Sequence, residues 1–250
     1  MIRVLQLELA RTLRTPAIWI IAAALQCVYA WYCLAALEAY LEIQPRLGLN
    51  SNSPGLSTWL LARYCLPAIF ASMFAVPVLC MQKIAGDRQS GTLSCLLVAP
   101  VSSLSIAAGK LCAVAVVLAG FTLLSLINVL TLLSIAPLDV TALAYAHACQ
   151  FAFLVACAGI GMVCTAWCRS PQVAAFSSAA VLMLLWLVGQ GQASSGFSIV
   201  KSLSLGEHIG RALAGVLHTG DLLYFVAVVA VSIAVTTRAI ENDRVFGDRS

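Results

Sequence analysis

The chain has 250 residues, 62% of them hydrophobic and only 10% charged, with a formal net charge of +4. Soluble domains carry about 25% charged and about 45–50% apolar residues, so this composition excludes a soluble globular protein and indicates an integral membrane one. The length suits one domain, 1–250, and leaves little chain for a soluble catalytic head once the spans are counted.

Residues 2–14 are amphipathic. Leu5, Leu9 and Leu13 line one face, and Arg3, Glu8, Arg11 and Arg14 sit largely elsewhere. The pattern predicts a helix lying in the membrane interface with its arginines near anionic headgroups. Thr15-Pro16 ends it. The apolar run Ala17–Leu37 is longer than the roughly 7–15 residue core of a cleavable signal and long enough for a first span at 17–37. Glu38–Thr58, with Pro45, Gly48, Asn50, Asn52, Pro54 and Gly55, reads as a loop. A second span, 59–81, opens on Trp59 and Tyr64 as interfacial anchors and is bent by Pro67 and Pro77.

The polar stretch Met81–Lys110 follows. Lys83, Asp87 and Arg88 crowd one turn, and Ser90-Gly91 is a turn and helix-start signal. Leu93, Leu96 and Leu97 fall at i, i+3, i+4, one face of a short helix. Pro100 stops that helix, and Ser102 or Ser103 can cap the next. The apolar face of such a helix needs either a cytosolic ATPase partner or the lipid headgroups to lie on.

A third span covers 108–134, Pro137-Leu138-Asp139 turns the chain, and a fourth span covers 141–167. Arg169-Ser170-Pro171 is a second turn, leading to a fifth span at 172–190. After a Gly/Ser-rich segment, Ser204 and Glu207 form a capping box. The helix it opens places Ile209, Leu213, Val216 and Leu217 on one face. A sixth span, 222–240, ends in a charged tail, Glu241–Ser250, read as a solvated end. Six spans put both termini on one side. That side holds Arg3, Arg11, Arg14, Lys83, Arg88, Lys110, Arg169, Arg238, Arg244 and Arg249, ten of the 14 lysines and arginines. By the positive-inside rule it is cytosolic.

Chemistry of the chain's own is hard to find. The ten cysteines are scattered, form no Cys-x-x-Cys and read as small hydrophobes rather than a disulfide framework or metal site. Ala108-Gly109-Lys110-Leu111 lacks the first glycine and the Ser or Thr of a phosphate-binding loop. Ser194-Ser195-Gly196 with His147, His208 or His218 has no defined spacing for a Ser–His hydrolase. Asn128, Gln150, Gln172 and Gln190 read as interhelical hydrogen-bonding groups, and Ala156-x-x-Gly159-x-Gly161 as close packing within one subunit. Arg63 and His147 fall near the outer ends of the spans, Lys110 and Arg238 near the inner ends. The charge relays of ion-coupled carriers are missing from the span interiors, which disfavours a secondary carrier. Energy for any transport must then enter from outside the bilayer.

The stretch Ser90-Gly91-Thr92-Leu93, Leu96-Leu97, Ala99-Pro100-Val101-Ser102 and Gly109-Lys110, preceded by Pro77-x-Leu79-x-Met81, resembles the coupling region of type-2 ABC transporter permeases. His208, Arg211, Gly215 and Asp221-Leu-Leu-Tyr224-Phe225, with Leu7-Glu8-Leu9 and Arg14-Thr15-Pro16, are similar to the gliding-motility type. The resemblance spans essentially the whole chain. One departure is Gly86-Asp87, where the family has two glutamates.

The resemblance implies an all-α membrane fold. Six spans would be joined by an N-terminal interfacial helix (Arg3, Glu8, Arg11, Arg14), a cytosolic coupling helix between spans 2 and 3, and a short outer helix between spans 5 and 6 (Ser204, Glu207, His208, Arg211). It implies a permease subunit of an ATP-driven exporter in a bacterial inner membrane, not itself an enzyme. Two permeases, identical or different, would sit over two ATPase subunits. It needs no cofactor of its own, since ATP and Mg would be held by the ATPase, and its other contact is membrane lipid, not nucleic acid. Asp87 and Arg88 would meet charges at the rim of an ATPase cleft, with Ser90 and Gly91 at the turn. Thr92, Leu93, Leu96 and Leu97 would fill the cleft up to Pro100. The cargo would be amphiphilic or polymeric. The alternative is a membrane anchor that moves nothing and passes ATPase motion to a pilus or motility apparatus.

Overall fold

The computed structural model describes residues 2–47, 56–99, 101–134, 138–190, 204–213 and 219–246. The fold is all-helical: α1 Ile2–Arg14, α2 Pro16–Leu47, α3 Leu56–Leu60, a π turn Leu61–Cys65, α4 Leu66–Met81, α5 Ala85–Gln89, α6 Thr92–Val98, α7 Ser103–Leu130, α8 Val140–Trp167, α9 Pro171–Gln190, α10 Leu205–Leu213 and α11 Thr219–Phe246. Six helices among the described residues are long and apolar enough to cross a membrane. At 1.5 Å per residue, the 28 residues of α7 or α8 reach about 42 Å. That exceeds the roughly 30 Å hydrocarbon core, so both ends reach the headgroups.

Several boundaries differ from the sequence reading: α7 runs over Ser103–Leu130 rather than 108–134, and α11 over Thr219–Phe246 rather than 222–240. Helix α2 runs on to Leu47, so Glu38–Leu47 is helical. Glu38, Ala39, Leu41 and Glu42 are good helix formers, and the cluster of turn residues begins only beyond them. The second span is interrupted by the π turn Leu61–Cys65. Pro67 has no N–H for the Arg63 carbonyl and its ring would strike that oxygen, so the helix widens ahead of it. Tyr64 is no interfacial anchor. It is fully buried and donates to the Ser125 carbonyl at 2.6 Å. Trp59 donates to the Ala36 carbonyl at 3.0 Å, and the Arg63 guanidinium lies 5.0 Å from the centre of its ring.

Helices α4 and α8 form the inside of the bundle. In their spans 61% of the most apolar stretch is buried, against 22% for α2 and 28% for α9 and α11. Two glycines of α8 make this possible. Gly159 and Gly161 lie about 200° apart around the helix. A Cβ on Gly159 would stand 3.0 Å from Ser232 of α11, and one on Gly161 would stand 2.9 Å from the Cys80 sulfur of α4. The small-residue pattern therefore packs α8 between two neighbours of the same chain. Polar pairs inside the bundle satisfy one another, as a lipid environment requires. Gln26 donates to Asn128 at 3.2 Å and Tyr29 bonds Ser72 at 2.6 Å. Gln150 is buried but its Nε2 has no hydrogen-bond partner, and Gln172 is exposed, so neither bridges helices as expected. Gln190 is described only as the last residue of α9.

Candidate functional site

The polar connection between α4 and α7 is built from two short helices. Met81 ends α4, α5 spans five residues, and Ser90-Gly91 turns the chain into α6. Gly91 has φ +73, the left-handed conformation that glycine adopts without a Cβ penalty. Ser102 caps α7 by accepting the Ser105 N–H at 3.3 Å. Pro100 lies outside the described residues.

At seven residues α6 is too short to persist alone, and it gains order by burying its leucines against its own bundle. Leu93 is fully buried, and Leu96 and Leu97 pack partly against the core. The expected cleft-filling face is thus turned inward. The outward face carries Gly91, Thr92, Ser94, Cys95 and Val98, and Val98 is 88% exposed.

Asp87 and Arg88 are also engaged within the chain rather than held out at a rim. Asp87 belongs to a chain of alternating charges. The Lys83 ammonium donates to Thr12 at 2.6 Å and to Glu8 at 3.2 Å. The Lys110 ammonium donates to the other Glu8 oxygen at 2.5 Å and to Asp87. Arg11 reaches the second Asp87 oxygen at 2.5 Å, and the Thr92 hydroxyl donates to that oxygen at 3.1 Å. Ser90 shares the Thr92 hydroxyl at 2.9 Å. Glu8, Lys83, Asp87 and Lys110 are 2%, 4%, 1% and 0% exposed. Two carboxylates and two ammonium groups balance, each carboxylate receives two cations, and burial is tolerated only because of that pairing.

Glu8 is therefore not on the wet side of α1. It sits on the buried face with Val4, Leu5, Leu9 and Thr12, against α7, while Leu13 is 42% exposed. Arg3 and Arg14 are exposed.

Arg88 faces the opposite flank. Its guanidinium donates to the Cys168 carbonyl at 2.8 Å, to the Ala166 carbonyl at 3.2 Å and to Asp243 at 2.5 Å. A cation over the last carbonyls of α8 satisfies groups the helix leaves open and complements its dipole. Arg244, one residue on, donates to the Val101 carbonyl at 2.8 Å. The end of α11 is thus part of the site: helix continues to Phe246, and Asp243 is buried while Glu241, Asn242, Arg244 and Val245 are exposed, as expected of a solvated end.

At the far end, the Ser204 hydroxyl accepts the Glu207 N–H at 3.4 Å and donates to the Leu185 carbonyl at 3.0 Å. His208 and Arg211 converge on one oxygen of Asp221, at 2.6 and 2.9 Å. The Tyr224 ring stacks on His208 at 4.0 Å. Of the expected outer face, Ile209 and Leu213 are buried, and Val216 and Leu217 lie outside the described residues.

Sequence reasoning missed the roles of Lys83, Lys110, Asp221 and Asp243. The signal for the first two was a lone carboxylate, Glu8, spaced i+3 and i+4 from Leu5 and Val4 within an apolar stripe. Among the described residues no group of His, Cys, Asp or Glu is placed to hold a metal ion. The arrangement fastens α5 by Asp87 to α1 and α7 and by Arg88 to α8 and α11, and the Thr92 hydroxyl ties α6 to Asp87.

No curated protein matches the chain. The family described as ABC-2 family transporter protein matches residues 45–209, which is about two thirds of the 250 residues and takes in the whole α4–α7 connection. The chain therefore belongs to the ABC-2 family: it is a multi-pass membrane protein and a permease subunit of an ABC transporter.

Proposed function

We propose that the chain is the membrane half of an ATP-driven exporter and that α6 is its coupling helix. The double fastening of α5 and α6 carries this reading. Coupling needs a projecting element that cannot move without dragging spans along, and Asp87 and Arg88 supply that tie on two flanks. The outward face around Cys95 and Val98 then meets the ATPase subunit, which binds ATP and Mg. A second permease completes the path. The charge rule supports reading the basic end of the bundle, with both termini, as cytosolic and α10 as lying at the outer leaflet; the bacterial inner membrane is the setting that the family resemblance implies. Apolar span interiors suit an amphiphilic cargo.

The test is Val98→Asp combined with Cys95→Asp. Neither side chain supports the fold, since both are exposed, so insertion and melting temperature stay unchanged. Transport-coupled ATP hydrolysis by the assembled complex falls at least tenfold. Full coupling in this variant would show that α6 is not the contact.

A further inference from the structure

A cleft of about 390 Å³ lies between the end of α8 and the last turns of α11. Arg88 and Asp243, paired with each other, line it together with Trp167, Arg169, Arg238 and Asn242. Arg88 and Asp243 neutralise each other. Arg169 and Arg238 are exposed and form no ion pair among the described residues, so the described lining carries two positive charges beyond the Arg88–Asp243 pair.

Its walls are not uniformly polar. Of the lining, Val235, Arg238 and Asn242 recur at helical spacing along one face of α11, apolar first and polar last, and Val231 continues that face one turn beyond the cleft. Val231 is 62% exposed. Trp167, 75% exposed, ends α8 beside this face, where an interfacial indole belongs. Arg238 stands nineteen residues after Thr219, the start of α11. That is about 28 Å along the axis, close to the roughly 30 Å of a hydrocarbon core. The guanidinium groups therefore stand at headgroup depth and the valines at acyl-chain depth.

We propose that this cleft binds one anionic membrane lipid, its phosphate between Arg169 and Arg238 and an acyl chain along Val231 and Val235. A soluble anion would use the arginines but not the apolar stripe. An acidic protein surface would not need a stripe reaching into the bilayer. The bound headgroup rests on the Arg88–Asp243 pair, and so against one of the two ties that hold α5.

The test titrates the full-length chain in a neutral detergent with phosphatidylglycerol, phosphatidylcholine and inorganic phosphate, counting bound lipid by native mass spectrometry. The comparison is Arg169→Gln combined with Arg238→Gln. Each surface cation near anionic lipid is worth about fivefold in affinity, so the double variant binds phosphatidylglycerol roughly 30-fold more weakly. The single Arg169→Gln, in the α8–α9 turn, gives about fivefold with the fold undisturbed. Arg63→Gln at the opposite end changes nothing, phosphatidylcholine binds weakly to all forms, and inorganic phosphate does not displace the lipid. Equal binding by wild type and both Arg169 variants overturns the proposal, as does displacement by inorganic phosphate. Displacement of the lipid from wild type by the ATPase subunit overturns it too, and makes the cleft a protein contact.

Discussion

Replacing Lys110 by methionine keeps an unbranched side chain, one atom shorter, and removes its charge. Lys110 is fully buried and bridges Glu8 and Asp87. Without it, Glu8 keeps Lys83 and Asp87 keeps Arg11 and Thr92. Arg11 is 53% exposed, so its compensation is weakened by solvent. The buried group then holds two carboxylates against one buried ammonium. Breaking a buried pair from one side costs about 3–5 kcal/mol, a melting-temperature loss on the order of 10 °C for a chain of this size. The assay is thermal unfolding of the detergent-solubilised chain, run as a double-mutant cycle with Glu8→Gln. Removing both members restores the balance, so the double variant loses less than the two single losses together, with a coupling of at least about 1.5 kcal/mol. A Lys110→Met shift below 2 °C, or strict additivity, would refute the alternating charge chain as the support of the connection.

Asp243→Ala releases the carboxylate partner of Arg88 among the described residues, costs about 2 kcal/mol in the same unfolding assay and lowers transport-coupled ATP hydrolysis, whereas Glu241→Ala, on the exposed side of α11, changes neither. Gly161→Ala forces a Cβ to 2.9 Å from the Cys80 sulfur and 3.1 Å from its Cβ, costing about 1–3 kcal/mol; adding Cys80→Gly removes both contacts and recovers part of the loss relative to Cys80→Gly alone, and a failure of that rescue contradicts the packing of α8 on α4. The isolated chain hydrolyses no ATP, and hydrolysis that persists through purification to homogeneity would overturn the division of labour between subunits.

The spans were legible because twenty apolar residues in a row admit few other fates, and the basic end was legible because arginine and lysine are counted easily. The connection between α4 and α7 was legible as an element but not in its orientation. Leu93, Leu96 and Leu97 mark a face without saying whether the chain's own bundle or a partner covers it. The ties were beyond reach for a different reason. Glu8 meets Lys83 across 75 positions and Lys110 across 102, and Arg88 meets Asp243 across 155. No local spacing encodes such pairs. Asp243 looked solvated because its neighbours Glu241, Asn242 and Arg244 are exposed; only the docking of α11 against the α8 terminus buries it. The π turn before Pro67 is the intermediate case. Proline announces a disturbance, and the packing of Tyr64 on Ser125 selects its form.

Position 98 offers the most direct test of coupling through α6. A photoreactive residue placed there in the assembled transporter, illuminated in intact membranes, should give a single major adduct with the ATPase subunit. That adduct should disappear when the ATPase is left out. Adducts with lipid alone, or with proteins on the opposite face of the membrane, would contradict the account.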